Sequence, residues 1–294
     1  MFIVAFYLLY ELVEHILHKQ IKSLIQKSII TLIAVSLAIL SNIDRLWTTY
    51  EYSKSTIRGK SELTINTNPN QKADGLSNDY ITQWSYGIDE TFSILVPNAK
   101  GGVSGAMLYP EFMKSFQGKP AEKREADKIL NKVDKNLKNH VLQELQQGRT
   151  INSYWGNMPF TSGPFYVGAS VFLLFILSFV VWQSNLKWYF LAAIILGFIL
   201  SWGKNFPSVT NWFIANFPMY NKFRAVSSLL FIPLVLIPFF AAMSLQSLFQ
   251  NPEIIQQKKK QIYGVLGATI GLFLIVILSP QSFISFLSDA EINQ

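Results

Sequence analysis

Apolar residues gather along this chain in uncharged blocks separated by polar connections. Residues 28–43, 166–181, 229–245 and 262–278 contain no Asp, Glu, Lys or Arg. Each is close to the roughly 17–25 residues that cross a bilayer as a helix. A fifth block, residues 188–202, is shorter but has a tryptophan at each end, as interfacial belts do. Pro233 and Pro238 lie inside the block at 229–245 and predict a kinked helix, which a membrane bundle tolerates when neighbours satisfy the freed carbonyls. At the start, Leu9, Leu12, Val13, Ile16 and Leu17 recur at helical spacing among Glu11, Glu14 and His15. The apolar residues 1–10 lack the basic lead and small-residue exit of a signal peptide. They read as the last part of a membrane helix, with the chain as the carboxy-terminal portion of a larger protein.

Residues 47–165 form the long polar interruption, too long for a linker without structure. Within it, residues 62–66 predict a short strand and residues 119–148 a helix. In that helix Ile129, Val133, Leu137, Val141 and Leu145 recur every four residues, Pro120 suits the first turn, and Gly148 is a stop. The expected fold is therefore mainly α: a multi-pass transmembrane helix bundle with an outward-facing insertion of mixed helical and irregular structure. Its expected divisions are first membrane helices at 1–47 and the extracytoplasmic insertion at 48–165. A four-helix membrane segment with an outward loop at 203–226 follows at 166–280, then a tail at 281–294.

Charge orients this arrangement. Lys19, Lys22 and Lys27, then Lys187, then Lys258, Lys259 and Lys260 fall in alternate short connections, which puts them together on the cytoplasmic side. Residues 47–165 and 203–226 then face outward. Composition agrees with a membrane protein: half of the residues are hydrophobic and only 15% are charged, against about 25% in soluble domains. The net charge of +7 is then a matter of topology and membrane-surface potential, and no zinc-type or RNA-module pattern points to nucleic acid. Cysteine is absent, which excludes disulfides and thiolate chemistry, and His15, His18 and His140 are too scattered for a histidine metal cluster.

Against the usual charge bias, Lys204, Lys222 and Arg224 lie on the outward side, at the ends of a segment rich in aromatic residues and proline. An arginine there holds a phosphate by a two-pronged hydrogen bond and a lysine holds it as a point charge. Arg58 is a further outward cation, and Phe206, Trp212, Phe213 and Phe217 offer apolar surface for a lipid chain. Asp89 and Glu90 sit beside aromatics before a Pro-Asn-Ala-Lys-Gly-Gly turn, where a carboxylate can act as general base toward a hydroxyl. The plainer alternatives are belt aromatics, snorkelling cations and carboxylates placed in the first turn of a helix.

Four ordered stretches carry a family resemblance: "RLWTTYEYSKSTIRGKSELT", "QWSYGIDETFSILVPNAKGG", "YWGNMPFTSGPFYVGA" and "FPMYNKFRAVSSLL". Together they resemble the YfhO-type bacterial membrane proteins, in the version found in Bacteroidetes, from about Tyr10 to Ser279. That family is similar to the GT-C class of glycosyltransferases. The resemblance implies sugar transfer from a polyprenyl-phosphate donor to a cell-envelope glycan at the outer face of the bacterial cytoplasmic membrane. Its partners would be the polyprenyl-phosphate sugar, membrane lipids and the glycan acceptor, with no nucleic acid. No cofactor is implied with certainty, and a divalent metal stays open. In GT-C-like enzymes the acidic catalytic motif usually lies in the first outward loop of the full protein. Here the match begins in mid-protein, so no catalytic residue carries over. On this reading Arg58, Lys204, Lys222 and Arg224 bind phosphate, and Asp89 and Glu90 serve the acceptor. The alternative is a non-enzymatic lipid-binding, transporter-like or scaffold protein of the envelope. A transporter should place ionisable residues within its spans, and these blocks have almost none.

Overall fold

The computed structural model describes residues 2–56, 76–104, 154–163, 165–218 and 220–278. The strand expected at 62–66 and the helix expected at 119–148 lie outside them. The fold is mainly α, and among the described residues only isolated bridges occur in place of strands. By contacts the chain divides into two compact units. One joins Met1–Ile88 with Val167–Phe273, and the other joins Asp89–Tyr166 with Leu274–Gln294.

In the first unit, α1 (Phe2–Leu17) and α2 (Ile21–Leu40) are joined by a tight turn in which Lys19 takes φ 55°. Lys27 Nζ donates to Glu11 Oε2 at 2.7 Å across the pair. The helix α2 begins seven residues ahead of its uncharged block, because Ile21, Leu24 and Ile25 already keep helical spacing and lysine stems can lie along an apolar surface. After a break at Ser41 and Asn42 comes α3 (Ile43–Lys54). The short α4 (Asn78–Ile81) is capped by Ser77, whose hydroxyl accepts from the Tyr80 amide.

The core is built by α5 (Ala169–Val181), α6 (Leu186–Ser201) and α8 (Phe231–Gln250), with α7 (Pro207–Asn216) in the connection between the last two. Phe240 is wholly buried and meets Phe175 and Trp182 edge-on, each at 5.3 Å between ring centroids. Such contacts matter here, because helices in lipid associate by close packing and not by escape from water. Gly197 lets α6 approach α8: a Cβ there would lie 3.1 Å from Pro233 Cδ and 3.3 Å from the Leu229 carbonyl. Pro233 occupies the first turn of α8, where its missing N–H costs nothing, and Pro238 lies in the interior. The helix α1 lies against α6, with Tyr10 edge-on to Tyr189 and Asn185 Nδ2 donating to Glu14 Oε1 at 2.9 Å. A five-residue helix α9 (Glu253–Gln257) leads into α10 (Lys259–Leu278).

Among the described residues three stretches are long and apolar enough to cross a membrane: Ile21–Leu40, Val226–Gln250 and Lys259–Val276. The blocks at 166–181 and 188–202 instead form helices of 13 and 16 residues. At 1.5 Å per residue these reach only about 20 and 24 Å, less than the roughly 30 Å of a hydrocarbon core.

The short α5 leaves its last carbonyls within the bundle, and two lysines come to them. Lys187 Nζ donates to the carbonyls of Phe179 and Trp182, at 3.1 and 2.8 Å, and Lys258 Nζ donates to Val180 at 2.7 Å. Cations at a helix C-terminus satisfy its unpaired carbonyls and oppose its dipole. A charge-assisted hydrogen bond contributes about 1.5–3 kcal/mol. Lys187→Met should therefore lower the thermal midpoint in detergent by several degrees, and Lys187→Arg should restore part of the loss. The exposed Lys22→Met is the control. A Lys187→Met midpoint equal to that of Lys22→Met would show that these bonds hold nothing.

Candidate functional site

At the far end of α6 the chain folds into a cap made by residues 76–88 and 202–230. Gly203 turns the backbone with φ 48°, and any side chain there would collide with Ser85 and Val226. The Ser85 hydroxyl accepts from the Lys204 amide at 2.8 Å and donates to the Thr82 carbonyl. Asn205 Nδ2 donates to the Tyr86 carbonyl, and the Tyr86 amide donates to the Ser201 carbonyl. The amides of Leu76 and Ser227 donate to the carbonyls of Asn221 and Trp84. Leu76, Ile81, Ile214 and Val226 are buried beneath this lattice, with Tyr80 and Tyr220 packed against them. The peptides that connect elements are thus paired across the cap, as buried backbone requires.

Arg224 stands on this platform. Its Nη1 donates to Tyr80 Oη at 2.6 Å, and its guanidinium lies 5.2 Å from the Tyr80 ring centroid and 4.8 Å from that of Trp84. Cation–π contact holds the fork in place while the residue stays exposed. The following Ala225 has φ 65° and leads through the 3-10 turn Val226–Leu230 into α8. One of the five guanidinium N–H donors is engaged by Tyr80, which leaves others for an anion. Lys204 is exposed at the opening of the same connection, and Lys222 is half-buried at the end of the turn Tyr220–Lys222.

The apolar residues expected to line a lipid groove divide into two groups. Phe213 lies 5.1 Å from Trp212, 5.6 Å from Phe217 and 5.8 Å from Tyr220 between ring centroids, and Phe217 stacks on Phe2 of α1. Phe206 stands apart from that row and packs edge-on against Trp202. Among the described residues the buried Tyr220 hydroxyl has no hydrogen-bond partner, and burial pushes its pKa up to about 12, so it stays protonated.

Asp89 and Glu90 belong to the second unit and open a 3-10 helix, Asp89–Ile94. Glu90 is only 1% exposed. Its Oε1 accepts from Tyr154 Oη at 2.8 Å and also from the Asn157 amide, while Tyr154 Oη accepts from the Met158 amide. Gly156 is required beneath it, because a Cβ there would overlap the Glu90 carboxylate and the Tyr154 ring. Asp89 is more exposed and pairs with the buried Lys100. The sequence spacing singled out neither Lys100 nor Tyr154. It also assigned no role to Tyr80 and Trp84, although their i,i+4 spacing put them on one side of a helical turn.

Arg58 lies outside the described residues. Among the described residues no group of three or more His, Asp or Glu side chains is placed to hold a metal. No family model, curated protein or solved structure matches the chain, so the family reading rests on the four sequence motifs.

Glu90 makes a structural demand that can be tested by itself. Glu90→Ala strands two donors, each at a cost of about 1–3 kcal/mol, and should speed amide exchange across 154–158. Glu90→Gln keeps an acceptor oxygen and should recover much of the protection. Unchanged exchange in Glu90→Ala would show that the carboxylate does not hold this loop.

Proposed function

We propose that this chain belongs to a GT-C-type, YfhO-like membrane glycosyltransferase. It transfers a sugar from a polyprenyl-phosphate donor to a cell-envelope glycan on the outer face of the bacterial cytoplasmic membrane. The observation that carries this reading is Arg224, an exposed guanidinium fixed over Tyr80 and Trp84 with free donors remaining. It sits at the end of α6 away from Lys187, about 24 Å along that helix at 1.5 Å per residue. A helix-end cation so far from the basic connections is not needed for orientation.

In this reading the donor phosphate is bound by Arg224 with Lys204 and Lys222, and Arg58 is assigned to the same task. The polyprenyl chain lies along Trp212, Phe213 and Phe217, with Phe206 beside Trp202. The acceptor oxygen attacks the anomeric carbon, the bond from that carbon to the phosphate oxygen breaks, and the hydroxyl proton passes to a carboxylate. The cations stabilise the charge on the departing phosphate. Of the two carboxylates Asp89 is the more accessible and is assigned the proton, since Glu90 is buried and already accepts two hydrogen bonds. That commitment of Glu90 also favours a second reading, in which the protein binds the lipid phosphate without transferring a sugar.

Removing a charge-assisted hydrogen bond costs about 1.5–3 kcal/mol, or roughly ten- to a hundredfold in affinity. Arg224→Ala should weaken binding of a polyprenyl-phosphate analogue by that order, and Arg224→Lys should restore it only in part. Lys22→Ala, on α2, should bind normally. Native-like binding by a folded Arg224→Ala protein would exclude the phosphate site. Binding that depends on Arg224 without transfer from a sugar-charged donor, in the full-length protein, would select the second reading.

A further inference from the structure

At the other end of the bundle, where α5, α8 and α9 meet, lies an open cleft of about 520 Å³. Its polar lining is Gln183, Ser247, Gln250, Asn251, Glu253 and Gln257. Ser247 is spent on the Met243 carbonyl of its own helix. Among the described residues the other five side chains make no hydrogen bond within the protein. Four amide residues and one carboxylate residue therefore line the cleft with exposed side chains that are not committed to the rest of the described structure.

The surrounding charge is asymmetric. Among the described residues Glu253 is the one charged residue in the lining. Val181, which also lines the cleft, lies between Val180 and Trp182, whose carbonyls hold the ammonium groups of Lys258 and Lys187. One wall thus carries a carboxylate and the inner edge is flanked by two cations. A simple anion would be repelled by Glu253, and a simple cation by the lysines. A zwitterion satisfies both. Among the described residues no aromatic lines the cleft, which offers neither the cage that suits a quaternary ammonium nor the flat apolar face on which a sugar ring packs. What it supplies is carboxylate and amide oxygens, which accept from a primary ammonium. The cleft lies at the ends of apolar helices, with the exposed Phe249 next to Gln250 and the exposed Ile255 two residues after Glu253 in the chain.

We propose that this cleft binds the phosphoethanolamine headgroup of a membrane phospholipid, with its ammonium on Glu253 and the amides and its phosphate toward Lys187 and Lys258. The proposal does not depend on sugar transfer or on Arg224.

The test presents the full chain in detergent with an equal mixture of phosphatidylethanolamine and phosphatidylcholine of the same acyl chains. Native mass spectrometry reads which lipid is retained. Phosphatidylethanolamine should be favoured about tenfold or more, the value of one charge-assisted hydrogen bond. Glu253→Gln should remove most of that preference, Glu253→Asp should keep part of it, and Gln250→Ala should weaken retention to a lesser degree. Since Glu253 is exposed, these variants should fold. Equal retention of the two lipids by the native chain, or an unchanged preference in Glu253→Gln, overturns the proposal. Soluble phosphoethanolamine separates the sources. Glu253-dependent binding of the free compound without a lipid preference overturns the membrane source and leaves the headgroup chemistry standing.

Discussion

The carbonyls at the end of α5 are the constraint on which the bundle depends. The helix α5 ends at Val181, and without partners the carbonyls of Phe179, Val180 and Trp182 would be left unpaired beside the buried Val181 and Trp182 side chains. Lys187 reaches them from the start of α6, and Lys258 from the junction of α9 and α10. Those two contacts gather the C-terminus of α5, the N-terminus of α6 and the start of α10 at one end. Asn185 ties Glu14 of α1 to the same end, and Glu11 brings in Lys27 of α2. The lysines that mark orientation in the sequence thus also hold the helices in register.

With that end fixed, the other end of α6 is free for a cap. Gly203 closes it, because only a residue without a Cβ fits between Ser85 and Val226. The cap then supplies what a loop lacks, a rigid support for an exposed cation. Tyr80 and Trp84 hold the Arg224 side chain and so lower the entropy it would lose on binding the proposed phosphate, which is the usual value of preorganisation. The cation-rich basic end and the Arg224 end therefore do different work with the same residue types. In one place ammonium groups hold backbone carbonyls together, and in the other a guanidinium is held by aromatic rings.

What could be read from the sequence follows the range of the interactions. The helices were legible in uncharged blocks, since a spanning segment repeats one property over many residues. Ends were less so: α2 starts seven residues early and α8 runs five residues past Leu245, because amphipathic turns extend a helix beyond its uncharged centre. Asp89 and Glu90 do begin a helical turn, a local property. The burial of Glu90 was not legible, because Tyr154 and Asn157 lie more than sixty residues away. The same holds for Arg224 and Tyr80, separated by 144 positions. Residues 76–88 read as part of an outward insertion, and their backbone pairing with 201–227 is likewise a matter of distant partners.

From the charge pattern we propose that the lysine-capped end and the Arg224 cap of the first unit face opposite sides of the membrane. Because the chain has no cysteine, single substitutions Asn216→Cys and Gln256→Cys report on the two ends directly. Both positions are exposed. In intact spheroplasts a membrane-impermeant thiol reagent should label Asn216→Cys, and Gln256→Cys only after permeabilisation. Labelling of both before permeabilisation, or of Gln256→Cys alone, would contradict the account.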